Sequence, residues 1–185
     1  MTNAIVKCTG GNQEMNFSYV YLGESIAAMK EKEMSSYRYQ NYICQPNPEN
    51  DAEPDIKLNS SWRDQICDWS FSVVDHFKLS RETVAICMNI FDRYIATQGN
   101  RCTASKALLV SLTALYITIK IHEPKKIRLT TLAGLSRDQF EPREIELMEI
   151  KILVSLSWRV NPPTVVGYIS HMIHFMFPQV HPSVR

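Results

Sequence analysis

The sequence has no Cys-x-x-Cys pair; its five cysteines, Cys8, Cys44, Cys67, Cys87 and Cys102, are scattered through 185 residues. Cys67 and Cys87 fall inside helical patterns, where a free cysteine acts as a small buried hydrophobe. Charge of one sign is also missing: 20 basic residues against 19 acidic leave a formal net +1. That balance excludes a strongly basic nucleic-acid binder and a polybasic membrane surface. The opening MTNAIVKCTG lacks an apolar signal-peptide core. A soluble intracellular protein of the nucleus, the cytoplasm or both is therefore expected, in a reducing compartment where the sequons at Asn16 and Asn59 go unused. Catalytic signatures are absent as well. There is no glycine-rich phosphate loop, no Gly-x-Ser-x-Gly, no His-Glu-x-x-His and no nucleophile–base set. His171 and His174 share an i, i+3 face, but no matching ligand cluster lies near them in sequence. No enzyme activity, cofactor, metal or small-molecule substrate is expected.

What the sequence does have is one charge-free apolar run, ALLVSLTALYITI from Ala107 to Ile119, bracketed by Lys106 and Lys120. Only Ser111, Thr113 and Thr118 are polar, so a helix here is apolar nearly all the way round and must be surrounded. It falls short of the about 20 residues that a membrane span needs. The run predicts the central helix of a compact α-helical domain, jacketed by the other helices. Charge returns abruptly at Lys120-Ile121-His122-Glu123, and that edge is where function is sought.

In chain order, the first twenty-odd residues carry no convincing period. Glu24–Tyr37 is a helix of good formers with a partial stripe at Ile26, Met29 and Met34, expected to dock on the main domain from outside its core. Gln45–Pro54 (QPNPENDAEP) is a loop of breaker residues. Five helical patterns follow. The first starts at a capping Ser61 and repeats Trp62, Ile66, Trp69, Val73 and Phe77. After a turn at Leu79-Ser80, the second repeats Val84, Cys87, Met88, Phe91, Tyr94 and Ile95 and stops by Gly99-Asn100. Thr103 opens the central helix. A weaker fourth spans Leu129–Leu135. The fifth begins at Pro142 with Glu141 and Glu144 near its start and repeats Ile145, Met148, Ile152 and Leu156. Pro162-Pro163 closes the domain. No segment alternates as a confident strand, so the class is all-α: five helices with short connections.

Several motifs along this stretch resemble one family in order and spacing. WRDQICDW (Trp62–Trp69), IFDRYI (Ile90–Ile95), LLVSLTALYITIKIHE ending at Glu123, ELMEIKIL (Glu146–Leu153) and LSWRVNPPT are similar to the N-terminal cyclin box of kinase-activating cyclins. Counterparts of five characteristic residues are Arg63, Asp92, Leu109, Lys120 and Glu149. The resemblance implies an N-terminal extension over 1–57, a cyclin box over 58–163, and a C-terminal helix or remnant of a second repeat over 164–185. It implies an Arg63–Asp92 ion pair tying the first helix to the second. It also implies a site for a cyclin-dependent protein kinase, in which Lys120 and Glu149 hydrogen-bond the kinase main chain near its mobile regulatory helix. Ile121, Leu153, Trp158 and Val160 would supply apolar contact, with Glu123 at the edge. The protein would then be a regulatory subunit in cell-cycle control, with no nucleic acid and no membrane among its partners. The alternative is a cyclin-fold protein of transcription-factor or scaffold type that activates no kinase.

The chain departs from the family in three places. A candidate substrate-docking patch at Trp62, Ile66 and Trp69 has Asp64 and Gln65 where relatives carry small and apolar residues, and Ser72 where they carry an acid; core packing is the expected role of both tryptophans. His122-Glu123 replaces a pair of acids, with His122 expected to be an ordinary surface histidine. Only Thr164–Arg185 follows the box, enough for one helix near Val165–Phe177. Either the box stands alone, or that helix packs on it, or the chain is a fragment.

Overall fold

A computed structural model describes residues 10–38, 41–42, 60–98, 103–137 and 139–176. Among the described residues there are seven helices and no strand. They are α1 (Gly10–Ser35), α2 (Ser60–Phe77), α3 (Glu82–Gln98), α4 (Ala104–His122), α5 (Leu129–Leu135), α6 (Pro142–Ser155) and α7 (Val165–Met176). None of them is long and apolar enough to cross a membrane. They fall into two compact units: Ser36–Pro162 holds α2 to α6, and the other unit pairs α1 with α7.

In the larger unit α4 is the axis. Ala107, Val110, Leu112, Ala114, Leu115, Ile117 and Ile119 are buried, and so are Ser111, Thr113 and Thr118. A helix without a wet face cannot leave hydroxyls to water, and each of the three donates back into its own helix. Ser111 Oγ reaches Leu108 O at 2.8 Å, Thr113 Oγ1 reaches Leu109 O at 2.7 Å and Thr118 Oγ1 reaches Ala114 O at 2.9 Å. These three hydroxyls are thereby satisfied without any partner helix. Thr103 caps the start, its Oγ1 accepting the Lys106 N–H at 3.2 Å.

The neighbours bury their stripes against this axis. α3 contributes Val84, Cys87, Met88, Phe91, Tyr94 and Ile95, and also Ile86 and Ile90. α6 contributes Ile145, Met148, Ile152 and Leu156. Each fully buried side chain of this kind is worth roughly 1.5–3 kcal/mol. A smaller cluster, Leu112, Leu132, Ala133, Phe140 and Ile145, lies beneath α5, and Trp69, Leu109 and Leu135 pack against both clusters. α6 starts with Pro in its first turn and a capping box in which the Glu141 N–H donates to Glu144 Oε2 at 2.8 Å.

Some boundaries differ from expectation. Helix α2 already includes Ser60, so Ser61 lies in the first turn, where its Oγ accepts from Gln65 Nε2 at 3.4 Å instead of capping. The Gln45–Pro54 loop and the Gly99-Asn100 stop lie outside the described residues. Helix α1 begins at Gly10, well before Glu24, and α7 packs against it. A Cβ on Gly167 would lie 3.2 Å from both Met29 Cε and Thr164 Oγ1, so that approach favours glycine. Tyr168 OH donates to Glu33 Oε2 at 3.0 Å across the same pair. Helix α1 ends at Ser35 and not at Tyr37, since the box takes the next two residues. Ser36 Oγ accepts from Arg159 Nη1 at 3.0 Å, and the Arg93 guanidinium lies 4.7 Å from the Tyr37 ring centroid.

Candidate functional site

The C-terminal turn of α4 and the middle of α6 meet at one corner. Lys120 Nζ donates to Glu149 Oε1 at 2.7 Å, and lies 5.0 Å from the centroid of the Tyr116 ring one turn earlier. The lysine side chain is 45% exposed and the glutamate side chain 14%. A pair this wet contributes about 0–1 kcal/mol to stability, so its geometry matters more than its strength. The ammonium has further donors to offer, and its tether to a carboxylate and a ring keeps it in place.

The α4 end is pinned from two other directions. Lys126 Nζ donates to the Lys120 carbonyl at 2.8 Å and also to the Glu123 carbonyl, setting a cation at the negative end of the helix. The Glu123 side chain turns inward. It is 6% exposed, accepting the Ser80 N–H at 2.9 Å and the Thr83 hydroxyl at the start of α3. Glu123 is therefore a structural acceptor, which corrects the expectation of a carboxylate at the contact edge. An α3 helix start with unsatisfied N–H groups is a better partner for it than water. His122 is half-buried, and its Nε2 is buried with no hydrogen-bond partner among the described residues, unlike the surface histidine expected.

Of the four apolar residues expected beside the corner, two are exposed and two are not. Ile121 is 49% and Trp158 70% exposed, whereas Leu153 and Val160 belong to the core of the box. Exposed Leu147, Ile150 and Val154 on α6 were missed. Their i, i+3, i+7 spacing marks a second apolar stripe beside the buried one, and that spacing was the available signal. Tyr116 was missed too, though its i, i+4 relation to Lys120 places the two together on a helix.

Between α2 and α3, Arg63 Nε and Nη2 donate to Asp92 Oδ1 and Oδ2 at 2.9 and 2.8 Å, and Tyr42 OH donates to Oδ1 at 2.8 Å. This fork joins α2 to α3. The proposed docking patch is rearranged: Ile66 is in the core, while Trp62 and Trp69 are half-buried. Beside Trp69 lies a groove of about 430 Å³ lined by Leu108, Leu112, Leu135, Arg137 and Gln139.

The family model for the cyclin N-terminal domain matches residues 24–161. The chain belongs to the cyclin family. It is 31% identical over 113 residues to G1/S-specific cyclin-E1 of Mus musculus, covering 61% of this chain and 28% of that protein. Similarity to cyclin-D3-3 of Arabidopsis thaliana is 29% over 115 residues, or 60% of this chain and 31% of the relative. Similarity to cyclin-A2-1 of the same plant is 25% over 169 residues, or 91% and 36%. The cyclin described here spans about a third of the length of these relatives. Its two described cysteines are poor nucleophiles. Burial pushes the Cys67 thiol up against the opposing pull of Arg63, and pushes the Cys87 thiol up to about 12. His171 and His174 each turn Nδ1 toward their own helix, at 2.8 Å from Gly167 O and 2.7 Å from Ser170 O.

Proposed function

We propose that this cyclin is a regulatory subunit that binds a cyclin-dependent protein kinase at the Lys120–Glu149 corner and activates it, without performing chemistry of its own. The observation that supports the reading is the 2.7 Å ion pair itself, which joins the last turn of α4 to the middle of α6, with Ile121 exposed on α4 and Trp158 exposed just after α6. A fixed ammonium and carboxylate can hold a partner's main-chain carbonyl and amide without reading its side chains. Trp158 supplies an aromatic anchor of the kind that dominates interface energetics.

Activation then works by differential affinity. The corner packs on the kinase's mobile helix in the orientation that completes the kinase's own Lys–Glu ion pair. Moving a kinase from about 1% to 99% active needs roughly 5.5 kcal/mol of preference for the active form. An interface of standard size with one tryptophan anchor can supply that. The role belongs to cell-cycle control in the nucleus or cytoplasm. The test is recruitment and activation of kinase by wild type and by Lys120→Ala/Glu149→Ala. The double variant is expected to lose both; equal recruitment and activation by the two proteins would remove the site.

A further inference from the structure

Helix α6 ends in a turn whose backbone is unusual. The Trp158 N–H donates to Leu153 O at 2.8 Å and the Ser157 N–H to Val154 O at 3.0 Å, the paired bonds of a Schellman motif. Ser157 occupies the left-handed position that such motifs commonly give to glycine, with φ 51°, and Trp158 follows in the same region at φ 60°. Two consecutive left-handed non-glycine residues persist only where the neighbouring structure over-determines them. In Schellman motifs an apolar residue at Trp158's position frequently packs back onto the helix. Here that side chain is 70% exposed.

What over-determines the turn is visible on its far side. Arg93 on α3 is buried, and its Nη1 donates to the Arg159 carbonyl at 2.6 Å. The same guanidinium lies over the Tyr37 ring, and Arg159 Nη1 in turn donates to Ser36 Oγ at 3.0 Å. The Arg159 N–H is used locally, at 3.0 Å from Leu156 O. A buried cation anchored to a ring thus holds the main chain immediately after Trp158, and the residues leading into the box hold Arg159 from the other side.

We propose that Arg93, stacked on Tyr37, is a positioning residue that keeps the turn in its left-handed form and Trp158 held out for the kinase. The inference rests on the reading of Trp158 as a kinase anchor, and makes the Ser36–Tyr37 segment a determinant of kinase affinity without touching kinase. Without the clamp the indole falls back onto the helix end.

The experiment uses the whole chain, with Tyr37→Ala, Arg93→Met and Arg93→Lys. Three quantities are measured: affinity for a panel of purified cyclin-dependent kinases, thermal melting, and acrylamide quenching of Trp158 in a Trp62→Phe/Trp69→Phe background. Tyr37→Ala is expected to weaken kinase binding about three- to tenfold, to shift Trp158 emission to the blue and to lower its quenching. Arg93→Met should do at least as much. Arg93→Lys, which keeps a cation able to donate to Arg159 O, should recover most of the affinity. Wild-type affinity and quenching in Tyr37→Ala would overturn the proposal, and that variant decides alone if Arg93→Met does not fold. If wild type binds none of the kinases, the functional reading fails by itself. Quenching then decides the turn: no change on Tyr37→Ala rejects the positioning role, and a loss upholds it.

Discussion

The Glu123 carboxylate accepts the Ser80 main-chain N–H at 2.9 Å, fastening the end of α4 to the beginning of α3. The bond makes the acidic residue at the C-cap of α4 a part of the scaffold. Glu123→Ala leaves the Ser80 N–H and the buried Thr83 hydroxyl without this acceptor, and is expected to cost about 1–3 kcal/mol in chemical denaturation. Glu123→Gln, which keeps one acceptor oxygen, should cost less. A Glu123→Ala protein of wild-type stability that had lost kinase binding would return Glu123 to the contact surface.

Asp92 is nearly inaccessible while its partner Arg63 is about a third exposed, with side-chain values of 3% and 32%. Removing the guanidinium strands a buried carboxylate that keeps the hydrogen bond from the Tyr42 hydroxyl. Arg63→Ala is expected to destabilise by about 2–4 kcal/mol, toward the lower end of the buried-pair range because one partner is partly wet. Arg63→Met/Asp92→Leu should recover much of that loss. A double-mutant cycle by urea melts checks this, and additive losses would show that the fork carries no coupling.

Burial raises the Cys87 thiol from 9.0 to about 12 in the folded chain. The folded state therefore favours the neutral thiol more than the unfolded chain does. This stabilisation is fully present below about pH 9 and is lost progressively as pH rises from 9 toward 12. Stability measured across that window should fall less steeply in Cys87→Ala than in wild type. Identical slopes would mean that the thiol ionises freely in the fold. In the native protein at neutral pH, iodoacetamide should label Cys67 before Cys87.

Ser157 sits at the left-handed position after α6 with φ 51°. Glycine adopts that conformation without a Cβ penalty, so Ser157→Gly is expected to stabilise the fold by about 0.5–1 kcal/mol. Because the turn is retained, kinase affinity should stay at the wild-type level. A lower melting temperature in Ser157→Gly would show that the serine hydroxyl or the chain's stiffness outweighs the backbone cost.

The helical core was readable because its signal is local. Ile145, Met148, Ile152 and Leu156 repeat at the pitch of one helix, Thr103 marks a start through a bond made within a single turn, and Pro142 marks one through its fixed φ. Helix α1 was readable only in part, since its partner α7 lies more than a hundred residues away in the chain. At the corner, Lys120 and Glu149 were legible through family likeness. Tyr116, Leu147 and Ile150 carried a helical spacing that could have been read, whereas the bond from Lys126 to the Lys120 carbonyl depends on how the chain turns after α4.

Composition and periodicity by themselves determined an all-α protein built round Ala107–Ile119, since a helix apolar on every side has to be enclosed by others. Which residues face water was decided only by the tertiary structure. Glu123 turns in toward the N–H of Ser80, Leu153 and Val160 sink into the core, and Trp158 stands out on a left-handed turn clamped by Arg93. Those outcomes depend on groups far apart in the chain, and no local pattern records a partner that distant.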